Sequence, residues 1–388
     1  MKKKTSWIDL VDLFEMLKEL AQLNENLIRE IGYQFHLDGT ICSTEVHGNG
    51  NVNDTFLLFC ESNNLTNRYT LQRINHEVFK NPEGLMENFL RVTQHLQTKL
   101  LTERSDKQAL CLVLAKDDRP FFQDKDGNYW RVTKFIDGGR SFEVPENLTQ
   151  AYEAAKAFGD FQAKLADLPG EPLIETIADF HNTRLRFEHF LTVLKKDEFN
   201  RVKEVQDLIE FALENESLAD AIQGKHFPLR VVHNDTKLNN ILLHKTSGQG
   251  MCVVDLDTVM SGCVLHDFGD LVRTAACSAL EDEPDLDKVF FLPEIFEAIV
   301  KGYHCSTGEM LESCEIENLA LAPKVITYEL GLRFLADYLE GDVYFKVKRP
   351  GHNVDRVRAQ FKLLSSMKEK FSEMQVIVRK LYSSIVQV

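Results

Sequence analysis

The sequence predicts an α+β architecture in two lobes: a small β-rich N-terminal lobe over residues 1–136 and a large, mainly helical C-terminal lobe over residues 137–388. Three observations carry this. Segments rich in strand formers, separated by glycine, asparagine and aspartate turns, crowd the chain before Gly139. Apolar residues at three- and four-residue spacing dominate the chain beyond it. One polar hairpin, Arg230 to Val259, interrupts those helices. At 388 residues the chain is long enough to bury the cores this arrangement needs.

Taken in order, Trp7, Leu10, Val11, Phe14, Leu17 and Ala21 recur at helical spacing and predict an amphipathic helix over residues 6–30. "VHGNGNVNDTFLLFC" is a glycine and asparagine turn running into apolar residues. With "RYTLQRIN" after it, it predicts a hairpin. Residues 82–101 turn helical, with Pro82 suited to a first turn. "ALCLVLAK" and "YWRVTKFID" read as strands around "QDKDGN", whose Asp126-Gly127 pair is a hairpin signal. The crossover between lobes is expected at Phe135 to Gly139. Helices are then expected over 146–167, 183–224, 285–302, 310–340 and 353–384.

Acidic residues outnumber basic ones, 60 against 45, for a formal charge of −15. That balance disfavours nucleic acid as a partner, since its binding wants a basic face. The eight cysteines are scattered without a C-x-x-C pair, which argues for reduced thiols and a cytoplasmic location rather than a zinc site or disulfide framework. The basic start, Met1 to Lys4, is followed by acids rather than a signal-peptide core, and no apolar run is long enough to cross a bilayer. A monomer without membrane partners is expected.

The hairpin "RVVHNDTKLNNILLHKTSGQGMCVVDLDTV" collects Asp235, Lys237, Asn239, Asn240, Asp255 and Asp257 at strand ends and loops. His233-Asn234-Asp235 followed five positions later by Asn240 has the H-x-D-x-x-x-x-N spacing of a kinase catalytic loop, and the order of elements resembles the protein-kinase-like fold. That spacing lets an acid at the loop tip accept a hydroxyl proton while the asparagine returns to a magnesium ion near the phosphates. Asp255, after the next apolar run, is the expected second magnesium ligand. Asp257 is either a further metal contact or a structural acid. Lys237 either offsets charge on the transferred phosphoryl group or faces solvent. His233 is expected to anchor the loop. Asp267-Phe268-Gly269 spells the kinase D-F-G tripeptide but lies too far along. In the aminoglycoside phosphotransferase-like branch an acid at the position of Asp267 hydrogen-bonds loop amides, and that job is expected of it.

On the nucleotide side, Gly48, Gly50, Asn53 and Thr55 in "HGNGNVNDTF" stand where a phosphate-covering hairpin belongs. The expected strand lysine is absent. Arg73 occupies that strand, with Glu87 as a partner on the next helix.

Across residues 48–365 the chain resembles the N-acetylhexosamine 1-kinases of the aminoglycoside and choline phosphotransferase family. The likeness is carried by "GNVNDTF", "YTLQRINHEVF", "YWRVTKFIDGGRSF", "ETIADFHNT", "HNDTKLNNILL", "VVDLDTVMSG", "HDFGDLVRTAA" and "RFLADYLEGDVYFKVKRPGHNVDRVRAQ". Ala178 and Ser261 stand where the resemblance leads one to expect proline. The resemblance implies ATP and Mg2+ as cofactors and a GlcNAc or GalNAc acceptor phosphorylated at its anomeric hydroxyl. It implies Asp235 as the group meeting that hydroxyl and Arg333 and Tyr344 as sugar-binding residues, with His181, Asp270 and Arg273 as further pocket candidates. For Arg333 a helix salt bridge to Asp337 is the competing role, and for Tyr344 a packed aromatic. A kinase of choline, homoserine or an aminoglycoside, and a nucleotide-binding pseudokinase, are the other functions the sequence allows.

Overall fold

The computed structural model describes residues 25–47, 52–222 and 227–383. The helix expected over 6–30 thus falls mostly outside the described residues, of which 25–32 are helical (α1). The chain divides into two compact units, one reaching Leu90 and including Cys111–Phe135, the other comprising Arg91–Leu110 and everything from Ile136 onward.

The first unit is built on an antiparallel sheet of β1 (Thr40–Val46), β2 (Asp54–Ser62), β3 (Leu65–Ile74), β4 (Leu112–Val113), β5 (Phe122–Gln123) and β6 (Tyr129–Lys134). Its order is β1-β2-β3-β6-β4, with β5 also paired to β6. Asn63 and Asn64 close the β2–β3 hairpin, both with positive φ (49° and 65°), the backbone that a two-residue turn between twisted strands demands. In the β5–β6 turn Asp124 accepts the Asp126 and Asn128 amides and the Trp130 indole N–H. Leu58, Cys60, Leu71, Trp130 and Val132 form a core with Ile28 and Ile31 of α1. "ALCLVLAK" is less regular than expected, since only Leu112 and Val113 join the ladder. Helix α2 (Pro82–Glu103) begins where Asn81 accepts the Gly84 amide.

The second unit carries α3 (Leu148–Leu165), α4 (Thr183–Lys196), α5 (Gln206–Glu214), α6 (Val264–Ala275), α7 (Pro293–Thr307), α8 (Ser313–Asn318), α9 (Ala322–Leu339), α10 (His352–Glu369) and α11 (Phe371–Leu381). Its short strands are β7 (Gly139–Arg140), β8 (Arg230–Val232), β9 (Ile241–His244), β10 (Gly250–Val253) and β11 (Met260–Gly262). Strands β7, β9 and β10 form one small sheet, and β8 and β11 another. Three long helices expected from the sequence are broken. Asp197 (φ 40°) ends α4, a capping box of Glu312 and Glu315 starts α8, and the chain turns at Lys370 between α10 and α11. Helix α9 is buried along almost its whole length and packs on α4, α6 and α10. The close α6–α9 approach depends on Gly269, where a Cβ would come within 2.7 Å of the Ala322 carbonyl oxygen. The α+β class, an antiparallel sheet unit and a helical unit, is therefore as the sequence predicts. Among the described residues no helix is long and apolar enough to cross a membrane.

Candidate active site

The loop between β8 and β9 is shaped by one buried acid. Oδ2 of Asp267 accepts the His233 amide at 2.8 Å and Oδ1 accepts the Asn234 amide at 2.6 Å. Gln162 of α3 donates to the same carboxylate at 2.6 Å, and the Thr236 hydroxyl donates to the Asp267 carbonyl. Asp267-Phe268-Gly269 thus lies in α6, behind the loop. Asn234 takes a left-handed conformation (φ 65°) and is secured by its side chain donating to the Thr258 carbonyl at 2.9 Å. This is the turn for which asparagine is suited. His233 sits fully buried against Phe158 and Phe161, its Nε2 2.9 Å from the Val254 carbonyl oxygen. It holds the loop to the end of β10.

Around Asp235 the charges are balanced locally. Lys237 Nζ lies 3.1 Å from Oδ1, and the Asn240 amide donates to Oδ2 at 3.0 Å and to the Asp235 carbonyl at 2.8 Å. Burial works against the charge, but Lys237, His233 and Asn240 outweigh it and hold the Asp235 carboxyl below the usual carboxylate range. Asp235 in turn holds the Lys237 ammonium above its ordinary value, against burial. Lys237 is therefore a carboxylate partner and not a lone solvated lysine.

Asp255 follows β10 with φ 60°. Its side chain reaches solvent from a position crowded by protein. Desolvation there, then repulsion from Asp257 and Asp235, pushes its carboxyl up to about 6. Asp257 is buried in the next turn. Among the described residues no group of three histidine, cysteine or acidic side chains is arranged as a metal site. The oxygen donors available for a cation are the Asn240 amide and these two acids.

A second cluster lies on α4, α9 and the segment after α9. Arg333 stacks near the rings of Phe180, Tyr344 and Phe345, 5.4, 5.7 and 5.5 Å from their centroids. Its guanidinium donates to the Tyr344 hydroxyl at 3.5 Å. The helix salt bridge to Asp337 does not form. Asp337 instead accepts the amides of Val343, Tyr344 and Phe345 at 2.9, 2.7 and 3.0 Å. Arg186, Arg333 and Tyr344 line one cavity with His189 and Phe345. Burial, then the Arg333 charge, lowers the Arg186 guanidinium from its ordinary value, and the acids Asp337 and Glu340 line the same cavity. His181 connects this region to the loop. Its Nδ1 meets Glu329 at 2.8 Å and its Nε2 meets the Asn234 carbonyl oxygen at 2.9 Å. Both partners are acceptors, so the ring is an imidazolium.

In the sheet unit Arg73 is exposed and pairs with Asp54 across the β2–β3 register, Nε to Oδ2 at 2.8 Å, rather than with Glu87. Asn53 accepts the Asn75 amide at 3.0 Å, and Thr55 accepts from Gln72 at 3.1 Å. Gly48 and Gly50 lie outside the described residues. Sequence reasoning missed Arg131, which is 1% exposed, bonded to Gln72 Oε1 at 2.9 and 2.8 Å and laid over Phe89. It also missed His266. No local pattern marks either.

A sheet unit, a helical unit and an H-N-D loop with an asparagine five residues on define a small-molecule phosphotransferase of the kinase-like class. A family described as the phosphotransferase enzyme family matches residues 44–293, and the chain belongs to it. Its fold is shared with an aminoglycoside phosphotransferase from Alicyclobacillus acidocaldarius subsp. acidocaldarius DSM 446, at 12% identity and TM-score 0.53 over 92% of this chain and 96% of that one. It is shared too with a spectinomycin phosphotransferase solved with ADP and spectinomycin (14%, TM-score 0.52, 94% and 98%). The microcompartment-associated aminopropanol kinase is a third such structure (16%, TM-score 0.51, 90% and 98%).

Proposed function

We propose that the chain transfers the terminal phosphoryl group of ATP to the anomeric hydroxyl of an N-acetylhexosamine, GlcNAc or GalNAc, giving the sugar 1-phosphate. The observation that carries the reading is the Asp235 carboxylate, next to the left-handed Asn234 and bracketed by Lys237 and Asn240. Kept ionised, Asp235 orients the acceptor hydroxyl and takes its proton as the oxygen attacks phosphorus. Lys237 offsets charge that builds on the phosphoryl oxygens. Asn240 and Asp255, with Asp257 nearby, fit a hard cation that favours oxygen donors, and the raised Asp255 carboxyl marks negative charge that a cation would relieve. When bound, magnesium would neutralise the phosphates and hold them in line. In the sheet unit the nucleotide is assigned to the 47–56 segment, with Gly48, Gly50, Asn53 and Thr55, and to Arg73. The spectinomycin phosphotransferase solved with ADP supports a nucleotide as donor.

Arg333 and Tyr344 are the residues assigned to the sugar, the guanidinium and the phenol offering donors to its hydroxyl or acetamido oxygens. The test is ATP consumption with magnesium across a panel of N-acetylhexosamines, plain hexoses and amino alcohols, the product located by phosphorus NMR. Phosphorylation at C1 of an N-acetylhexosamine is expected. Turnover of amino alcohols alone would replace the sugar assignment, and no turnover with any alcohol would remove the enzymatic one.

A further inference from the structure

Two buried polar atoms of α6 have no partner, and they lie one helical turn apart. Nε2 of His266 and Oδ2 of Asp270 make no hydrogen bond, although the residues are only 8% and 3% exposed. Positions i and i+4 share a helix face, so both belong to the same side of α6. That side meets the loop of Asp235 from two directions. The His266 ring lies 4.9 Å from the His181 ring, and His181 holds the carbonyl of Asn234, next to Asp235. The Asp270 charge is felt by His181 and by Lys237, which pairs with Asp235. A buried donor or acceptor left unmade is costly, and each one calls for a partner such as a water, an ion or a ligand group.

We propose that His266 is a specificity-determining residue of the acceptor site, its Nε2 and the Oδ2 of Asp270 together binding one non-reacting hydroxyl of a neutral polyol. The inference rests on the kinase reading above and deepens it. A hydroxyl both donates and accepts, which matches a neutral imidazole beside a carboxylate. An ammonium matches less well. Arg273 already bonds the other Asp270 oxygen, Nε to Oδ1 at 2.9 Å, and the protonated His181 lies against His266. Burial, then the His181 charge, pushes the His266 imidazole down to about 3, so it stays neutral wherever the enzyme works.

The experiment compares wild type with His266→Phe and His266→Gln on the acceptor sugar and on analogues lacking each non-reacting hydroxyl in turn. His266→Phe should raise the acceptor KM about tenfold and leave the ATP KM unchanged. It should also abolish the penalty that wild type shows for one particular deoxy analogue, while His266→Gln restores that penalty. An unchanged acceptor KM in folded His266→Phe, or equal deoxy penalties in wild type and variant, would mean that the two atoms hold only water, and would overturn the inference with the kinase reading intact. Wild-type turnover of amino alcohols but no neutral polyol would overturn it likewise. Turnover of no alcohol at all would overturn both.

Discussion

Lys237 Nζ lies 3.1 Å from Oδ1 of Asp235, so the residue assigned to the transferring phosphoryl group also sets the charge of the residue assigned to the proton. Lys237→Met should lower kcat by about 10²–10³-fold, the cost of removing one preorganised charge from a transfer site, with the ATP KM changed far less. Steady-state kinetics check this, and a kcat within twofold of wild type would leave Lys237 with a structural role alone.

Asp235→Asn keeps the side-chain volume and removes the proton acceptor. Turnover should fall by about 10²–10⁴-fold while nucleotide affinity, measured by calorimetry, stays close to wild type. Full activity would strip Asp235 of its assignment.

Asp267→Ala leaves the amides of His233 and Asn234 buried without an acceptor. At about 1–3 kcal/mol for each unsatisfied group, stability should drop measurably in denaturant titration, and activity should fall with it as the loop loses its shape. A variant of normal stability and normal kcat would contradict the positioning role.

The buried His181–Glu329 pair makes stability depend on pH. Burial opposes the Glu329 charge, yet His181 and Thr183 hold its carboxyl down at about 2, from an ordinary 4.5. Burial likewise opposes the His181 charge, yet Glu329 and the Asn234 carbonyl raise the ring above its ordinary 6.5. The Glu329 contribution is present above 4.5 and fades as pH falls toward 2. The His181 contribution is complete below 6.5 and fades as pH rises through its raised value. The pair should therefore stabilise most between these limits. Glu329→Gln should cost about 3–5 kcal/mol there and less at alkaline pH. Melting temperatures across pH check this, and a cost that grows steadily with alkalinity would count against it.

Arg333→Ala should raise the acceptor KM and spare the ATP KM, and Arg333→Lys should not rescue it, because an ammonium cannot lie flat among Phe180, Tyr344 and Phe345 as a guanidinium does. Kinetics on both variants decide the matter, with full rescue by lysine as the adverse result.

What the sequence reveals depends on how local the cause is. The loop from His233 to Asn240 is legible because its chemistry fixes residue types at fixed spacing. The hairpin at Asp126-Gly127 is legible because the turn itself demands those residues (φ 83° at Gly127). The break in the helix expected over 183–224 is not, since Asp197 is a left-handed aspartate without a glycine or proline to announce it. The Arg73–Asp54 pair is not legible, because only the β2–β3 register sets Asp54 opposite Arg73. Arg131 and His266 are invisible for a related reason. Their meaning comes from the groups that face them, Gln72 and Phe89 for one and the ring of His181 for the other, and no one-dimensional pattern contains those neighbours.

Asp337 fastens the backbone from Val343 to Phe345 by three amides, and Asn353 at the start of α10 donates to the same carboxylate at 2.7 Å. The stretch bearing Tyr344 is thereby moored to an acid on α9, while the loop assigned to proton acceptance hangs from a different acid, Asp267, on α6. The residues assigned to the acceptor on α9 and the loop assigned to the proton thus hang from two different acids, with His181 bridging between Glu329 and the Asn234 carbonyl. A transplant of residues 343–351 from a related enzyme that keeps Asp337 and Asn353 should change which alcohol is phosphorylated without retuning the transfer itself.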